Sequence, residues 1–348
     1  MKFFNKIKKL NRPYIIAEIG ANHNGSLGLA KKLILKAKDA GADCVKFQSW
    51  TKNSIFSKKK YKENYFLKDD YRNRKDYTLE SIVEKFSLSE NLLLKLKSFC
   101  DKNKIDFTST PFSKREVDFL VKKLKPPFIK IASMDLNNYP FLEYVAKKNK
   151  TIVLSTGLSN LSEIKKAVKT IESKKNYKII ILHCVAIYPT PDNLSNINSI
   201  DVLKKVFKYP IGYSDHTLGF GVSLAAASKN ICLLEKHFTL DKKMFGWDHK
   251  VSITPDELKI ICRESKRITK ALGSKSIVVP ESKKRKEEFR RSIVITKDLK
   301  TGHRIKEADL DFKRPGTGIP PGKIFNVIGK KMKKNLSKDS ILLFKDIN

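Results

Sequence analysis

With 348 residues and 41% hydrophobic composition, the chain can bury a full core and still carry a second, smaller module. No stretch approaches the roughly 20 uninterrupted apolar residues of a membrane span, and the basic start MKFFNKIKKLNRPY lacks a signal peptide's apolar core, so a soluble cytoplasmic protein without membrane attachment is expected. The formal charge of +36 argues weakly for nucleic acid: only 11 of the 72 basic residues are Arg, the side chain that pairs bidentately with bases and phosphates, although such a field favours anionic substrates.

The first strand expected is YIIAEIG (14–20), followed by the helix SLGLAKKLILKAKDAG (26–41), with Ser26 as N-cap and Gly41 at its stop. CVKFQSW (44–50) is the second strand. A connection of about 35 residues then runs from Thr51 to Phe86, rich in Tyr, Lys and Asp, and a loop of that length on a compact domain is usually functional. SENLLLKLKSFCDKNK gives a helix, DFTSTPF (106–112) the third strand, KREVDFLVKKLK a helix and FIKIAS (128–133) the fourth strand. TIVLSTG (151–157), IIILHCVAIY (179–188), PIGYSDHT (210–217) and CLLEKHF (232–238) complete eight strands, with NLSEIKKAVKTIES and TPDELKIICRESKRITKALG among the later helices. The strands are nearly continuous apolar runs, as parallel strands covered by helices are. Eight such units without a dinucleotide-binding fingerprint point to an α/β fold, a closed (β/α)₈ barrel over residues 1–273. The charged stretch ESKKRKEEFRR (281–291) reads as part of a linker over 274–290, and 291–348 as a small β-rich domain.

A barrel's active site lies at the C-terminal ends of its strands, and here those ends are strongly polar. Strand one offers Glu18, Asn22 and His23; strand two Lys46 and Gln48; strand three Thr108, Ser109 and Thr110. Lys130, Ser133 and Asp135 follow at four, Ser155 and Thr156 at five, His183 and Tyr188 at six, Ser214, Asp215 and His216 at seven, and Glu235, Lys236 and His237 at eight. Lysines with hydroxyls suit an anion carrying phosphate and carboxylate. Histidines on adjacent strands suit a divalent metal with open positions. Carboxylates suit sugar hydroxyls and proton transfer. Taken singly each is an ordinary structural residue, and His183 is expected to be one; it is their convergence on one rim that points to a site. The five cysteines are an odd number with no CxxC pair, and read as buried, reduced side chains.

IAEIGANHNG, VKFQSW, TSTPFS, KIASMDLNNYPFL, LSTGLSNLSEI, LHCVAIYPTP, GYSDHT, LEKHFTLD and GWDHKVS stand in the order seen in sialic acid synthases, and the chain resembles that family from about residue 13 onward. RRSIVITKDLKTGHRIKEADLDFKRPGTGI is similar to the antifreeze-like (SAF) domain that those enzymes append. The resemblance implies condensation of phosphoenolpyruvate with an N-acyl mannosamine-type sugar to a nine-carbon 2-keto acid and phosphate. It implies that His216 and His237 hold Mn²⁺ or a similar divalent ion (Mg²⁺ or Co²⁺). Lys46, Thr110, Lys130, Ser133, Ser155 and Ser214 would then hold phosphoenolpyruvate, and Glu18, Gln48, Asp135, Tyr188 and Asp248 would face the sugar or the metal-bound water. Glu18 would serve proton transfer, and Arg314 would reach the N-acyl group from the partner of a domain-swapped homodimer.

Where many of these synthases read CTNIYP, this chain has CVAIYP, so Ala186 replaces an amide; Met134-Asp135 replaces a Gly-Glu pair, and Gly246-Trp247 a Gly-Pro. These departures leave the phosphoenolpyruvate chemistry in place and open the choice of sugar to 2,4-diacetamido-trideoxy sugars of the legionaminic or pseudaminic branch. ANHNG resembles the sialic and legionaminic branches more than the pseudaminic one. A sialate-9-phosphate-type synthase would need an extra basic cluster on the rim for a second phosphate, and no such cluster is evident in the sequence. A non-catalytic polyanion-binding protein would not need the intact set of strand-end residues.

Overall fold

Eight short runs in which both faces are apolar form eight parallel strands: β1 (Tyr14–Gly20), β2 (Cys44–Gln48), β3 (Asp106–Thr110), β4 (Ile129–Ile131), β5 (Ile152–Ser155), β6 (Ile179–Cys184), β7 (Ile211–Asp215) and β8 (Leu233–His237). The computed structural model describes residues 2–64 and 77–348. The strands pair in the order β3-β2-β1-β8-β7-β6-β5-β4, so that the last strand returns to the first. β3 and β4 end that hydrogen-bonded order, and the Thr108 hydroxyl crosses between them to the Phe128 carbonyl at 2.9 Å. The expected barrel is the fold observed; β1 matches its expected run, and the other seven strands fall within theirs, shorter by one to four residues at the C-terminal end and, in four of them, by one at the N-terminal end.

Local sequence sets the helix boundaries. Leu27–Ala40 begins where Ser26 accepts from the Leu29 N–H and ends at Gly41, whose φ of +97° turns the chain out of the helix. Leu161–Glu172 starts with a reciprocal Asn160/Glu163 box, and Pro255–Leu272 with a Thr254/Glu257 box and Pro at the first turn.

Within the first 273 residues, two features differ from the sequence reading. The basic N-terminus forms a helix, Lys2–Lys9, that buries Phe3 and Ile7. Phe3 stacks on Phe128 at 4.8 Å and meets Tyr14 edge-on at 5.2 Å, which closes the N-terminal end of the barrel interior. The long connection after β2 is also not a plain loop. It carries helices Lys52–Ile55, Lys58–Glu63 and Leu79–Phe86, while residues 65–76 lie outside the described residues. Leu79, Ile82, Val83 and Phe86 recur at helical spacing and bury against Trp50 and Ala21, so these helices are packed onto the strand ends of β1 and β2.

The chain divides after Gly273 into two units. Within the second, Ser282 caps a helix at Lys283–Phe289, inside the stretch expected to be a linker. β9 (Ser292–Ile295) pairs antiparallel with β10 (Leu310–Lys313). Around them Ile293, Ile295, Leu299, Ile305, Val327 and Leu342 form a separate small core. Among the described residues no helix is long and apolar enough to cross a membrane.

Candidate active site

The two-residue period of a strand sorts the polar strand ends into two sets. Tyr14 and Ile16, Cys44, Phe128, Val153, Ile180, Leu182 and Leu233 form an apolar layer. Continuing in phase, one step toward the C-terminal ends, come Glu18, Lys46, Lys130, Ser155, Cys184, Ser214 and Glu235, then Gln48, Thr110, His216 and His237. These residues, with Ser133 and Tyr188, line one cavity of about 120 Å³ that opens to solvent. The out-of-phase residues serve the fold. Lys236 Nζ is held by Asp215 at 2.7 Å and the Thr217 carbonyl at 2.7 Å. His183 Nε2 meets the Ser195 carbonyl at 2.8 Å, the structural role expected of it. In the turn beyond β1, Asn22 gives its amide to the Phe238 carbonyl and to Ser252, and His23 accepts from the Gly25 N–H.

Inside the cavity, charges alternate. Lys46 Nζ lies 2.8 Å from Glu18 Oε2, donates to Thr110 Oγ1 at 2.9 Å, and stands 3.9 Å from Glu235 Oε2. Lys130 Nζ is 3.5 Å from Glu235 Oε1, which also accepts from Ser214 at 3.1 Å. Burial pulls the lysines down, yet the field of Glu18 and Glu235 leaves Lys46 above its ordinary value, while Lys130 ends below. Burial lifts Glu18 to about 7 against the pull of Lys46. Glu235 ends lower than usual, because Lys130 and Lys46 outweigh its own burial. Glu235 is among the polar strand ends read from sequence but carries no assigned role there, although its spacing of two from His237 places it in the same column.

Glu18 Oε1 accepts from Gln48 Nε2 at 2.9 Å, and Trp50 Nε1 donates to Gln48 Oε1 at 2.7 Å. Gly20, at φ +52°, sits where an added Cβ would fall 3.1 Å from Glu18 Oε1, 3.2 Å from Asp248 Oδ2 and 3.2 Å from Gln48 Nε2. Burial raises the Asp248 carboxyl to about 6. Ser133 Oγ accepts from the Gly157 N–H at 3.1 Å and lies 3.4 Å from Cys184 Sγ, and Ser155 Oγ is buried with no hydrogen-bond partner. Asp135 lies on the turn Ser133–Asp135, does not line the cavity, and accepts from Asn138 Nδ2 at 3.1 Å. Arg314 lies in the second unit, with its guanidinium 5.1 Å from the Phe289 ring centroid.

His216 and His237 face each other with ring centroids 5.4 Å apart, and Tyr188 packs against both at 4.1 and 5.9 Å. His216 Nδ1 lies 2.7 Å from the Val185 carbonyl, which fixes Nδ1 as the protonated nitrogen and leaves Nε2 to act as a ligand. His237 Nδ1 is buried without a hydrogen-bond partner, 3.6 Å from Asp248 Oδ2. An orphaned buried imidazole nitrogen beside a second imidazole fits a divalent ion. Among the described residues no group of three or more His, Cys, Asp or Glu side chains is arranged to hold a metal.

Residues 33–277 match the family model described as the NeuB family, and residues 290–348 that of the SAF domain. The chain is 41% identical to the N,N'-diacetyllegionaminic acid synthase of Campylobacter jejuni, over 96% of this chain and 99% of that one. It is 36% identical to the protein of the same name from Legionella pneumophila, over 96% of this chain and 94% of that one. Among solved structures, the N-acetylneuraminic acid synthetase of Leptospira borgpetersenii superposes with a TM-score of 0.68 at 34% identity, over 80% of this chain and 90% of that one.

Proposed function

The chain belongs to the NeuB family, and on that premise we propose that it is a nonulosonate synthase, joining phosphoenolpyruvate to an N-acyl amino sugar with release of phosphate. The observation that carries this reading is the pair of buried lysines, Lys46 and Lys130, set among hydroxyls in one cavity with the facing imidazoles. Water-excluded ammonium groups bind phosphate and carboxylate more strongly than exposed ones, because the low dielectric leaves their field unscreened. Thr110, Ser133, Ser155 and Ser214 supply donors around them. C3 of phosphoenolpyruvate attacks the aldehyde carbon of the open-chain sugar, forming the new C–C bond. Water adds at C2, and the C2–O bond to phosphate breaks, yielding the 2-keto acid. Lys46 and Lys130 stabilise the departing phosphate. Glu18 Oε2, buried against Lys46, carries the proton, and Gln48 and Asp248 converge with it on the sugar. A divalent ion held by His216 and His237, Mn²⁺ before Mg²⁺ or Co²⁺, supplies Lewis acidity toward the aldehyde when bound.

Two relatives named for N,N'-diacetyllegionaminic acid support a diacetamido sugar as acceptor over N-acetylmannosamine. The test is phosphate release from phosphoenolpyruvate with a panel of N-acyl amino sugars and Mn²⁺, with the product identified by mass spectrometry. Release independent of any sugar, or none with any, overturns the reading. Arg314 is assigned to the site of a second copy in a swapped homodimer. Mixing an Arg314→Ala variant with a Lys46→Met variant should then restore about a quarter of wild-type activity through mixed dimers. Mixtures as inactive as the separate variants contradict the exchange.

A further inference from the structure

The cavity is polar at depth and apolar at one sector of its mouth. Glu18, Lys46, Lys130, Ser155, Ser214, His216, Glu235 and His237 are all 7% exposed or less. Toward solvent, three apolar side chains line the same cavity: Ile55 from the connection after β2, Phe112 after β3 and Met134 after β4. β2 and β3 are paired neighbours and β4 follows, so the three occupy one continuous arc of the rim.

This arc is held in place. The Phe112 N–H donates to Glu116 Oε2 at 2.6 Å, and Glu116 is itself buried. The helix Lys52–Ile55 is fixed by the Thr51 N–H to Ser54 Oγ at 2.8 Å, and by Tyr61 donating to the Lys52 carbonyl at 2.8 Å. Ile55 and Phe112 pack on the Trp50, Leu79, Ile82 and Phe86 cluster. Among the described residues lining the cavity, Gln48 is engaged with Glu18 and Trp50, Thr110 with Lys46, and Ser133 with the Gly157 N–H.

On the synthase reading, the reacting aldehyde carbon must lie at depth, beside the lysines and imidazoles. The far end of the sugar chain, C6, then reaches the mouth. There a methyl group gains contact with Ile55, Phe112 and Met134. A hydroxymethyl group gives up water and meets side chains that cannot hydrogen-bond. We propose that Ile55, Phe112 and Met134 are specificity-determining residues that select an acceptor deoxygenated at C6. None of the three supplies a charge, so a phosphate at C6 fits this arc still less well than a hydroxyl.

The test uses the full chain and two pairs of sugars, each differing only at C6: 2,4-diacetamido-2,4,6-trideoxymannose against its 6-hydroxy counterpart, and 6-deoxy-N-acetylmannosamine against N-acetylmannosamine. In any pair that turns over, the 6-deoxy member should have the higher kcat/KM, by on the order of 10–100-fold. Met134→Gln, a same-size polar change at a residue 57% exposed, should narrow that ratio by about tenfold without lowering the melting temperature, and Ile55→Thr should narrow it similarly at a small cost in stability, since Ile55 packs on the cluster beneath. No phosphate release from all four sugars overturns the synthase reading, and this inference with it. Turnover in which the 6-hydroxy sugar is used equally well, or in which both variants keep the wild-type ratio, overturns this inference alone.

Discussion

Replacing Gly20 with Ala should separate backbone strain from catalytic positioning. Gly20 holds φ +52° at the end of β1, a conformation that costs an L-residue about 1–2 kcal/mol. In a protein of this size that cost should lower the melting temperature by roughly 2–6 °C. The added Cβ would also lie 3.1 Å from Glu18 Oε1 and 3.2 Å from both Asp248 Oδ2 and Gln48 Nε2, so those groups must give by a few tenths of an ångström. Misplacement by a full ångström costs about a hundredfold in rate, so a loss of about tenfold in kcat is expected here. Gly219 is the matched control: it has φ +65° in the same unit, but nothing lies within 4 Å of an added Cβ. Gly219→Ala should pay the backbone cost and keep its kcat. Phosphate release and thermal melting of both variants decide the matter. Equal kcat values for the two variants would refute the claim that Glu18, Asp248 and Gln48 work as a unit around Gly20.

Three further outcomes are expected. Mn²⁺ titrated calorimetrically into metal-free protein should give a binding isotherm that His216→Ala plus His237→Ala abolishes; undiminished binding would remove both histidines from the metal site. Phe3→Ala, at the opposite end of the barrel, should cost about 3 kcal/mol and some 6–10 °C of melting temperature while leaving kcat unchanged, and a stable but slow variant would contradict the division of roles. In the second unit, burial alone would raise Asp309, but His303 at 2.8 Å, Lys297 at 2.9 Å and the Lys306 N–H hold its carboxyl well below the usual range. A depressed carboxyl contributes stability that is complete above its unfolded value near 4 and lost as pH falls toward its folded value. Hydrogen exchange over residues 292–313, corrected for intrinsic rate, should therefore lose protection below about pH 4 in the wild type, and Asp309→Asn should flatten that loss.

Much of the barrel was legible because its strands announce themselves twice, as apolar runs and as the segments between well-capped helices. Ser26 and Gly41 bound their helix as the sequence implies. The helix Lys2–Lys9 escaped notice because five of its eight residues are Lys or Asn, and only Phe3 and Ile7, four apart, carry its buried face. The three helices after β2 were hidden by the length and charge of their connection, although Leu79, Ile82, Val83 and Phe86 have a helical period. At the site, the residue types are readable in the sequence, but the direction of each side chain depends on strand parity. Glu235, Lys236 and His237 look equivalent as neighbours. Strand parity makes Lys236 a partner of Asp215 on the outside and puts Glu235 and His237 inside.

Parity also changes what the charge of the chain means. Of 61 lysines, those buried among the described residues are Lys46, Lys130 and Lys236. Burying an ammonium group costs several kcal/mol unless partners repay it. Lys236 has close partners, Asp215 and the Thr217 carbonyl, each at 2.7 Å, although burial still holds it below its ordinary value. Lys130 has looser ones: its contacts are the Ile131 carbonyl at 3.3 Å and Glu235 Oε1 at 3.5 Å. Glu235 meanwhile keeps Oε2 buried without a hydrogen-bond partner. Folding alone would favour a closer ion pair between the two. Their loose pairing beside the free hydroxyl of Ser155 leaves room for a dianion to complete the coordination of Lys130. The +36 charge, spread as solvated Lys, therefore says little about partners, while the inward lysine that the fold leaves loosely paired, Lys130, is where the proposed anion would bind.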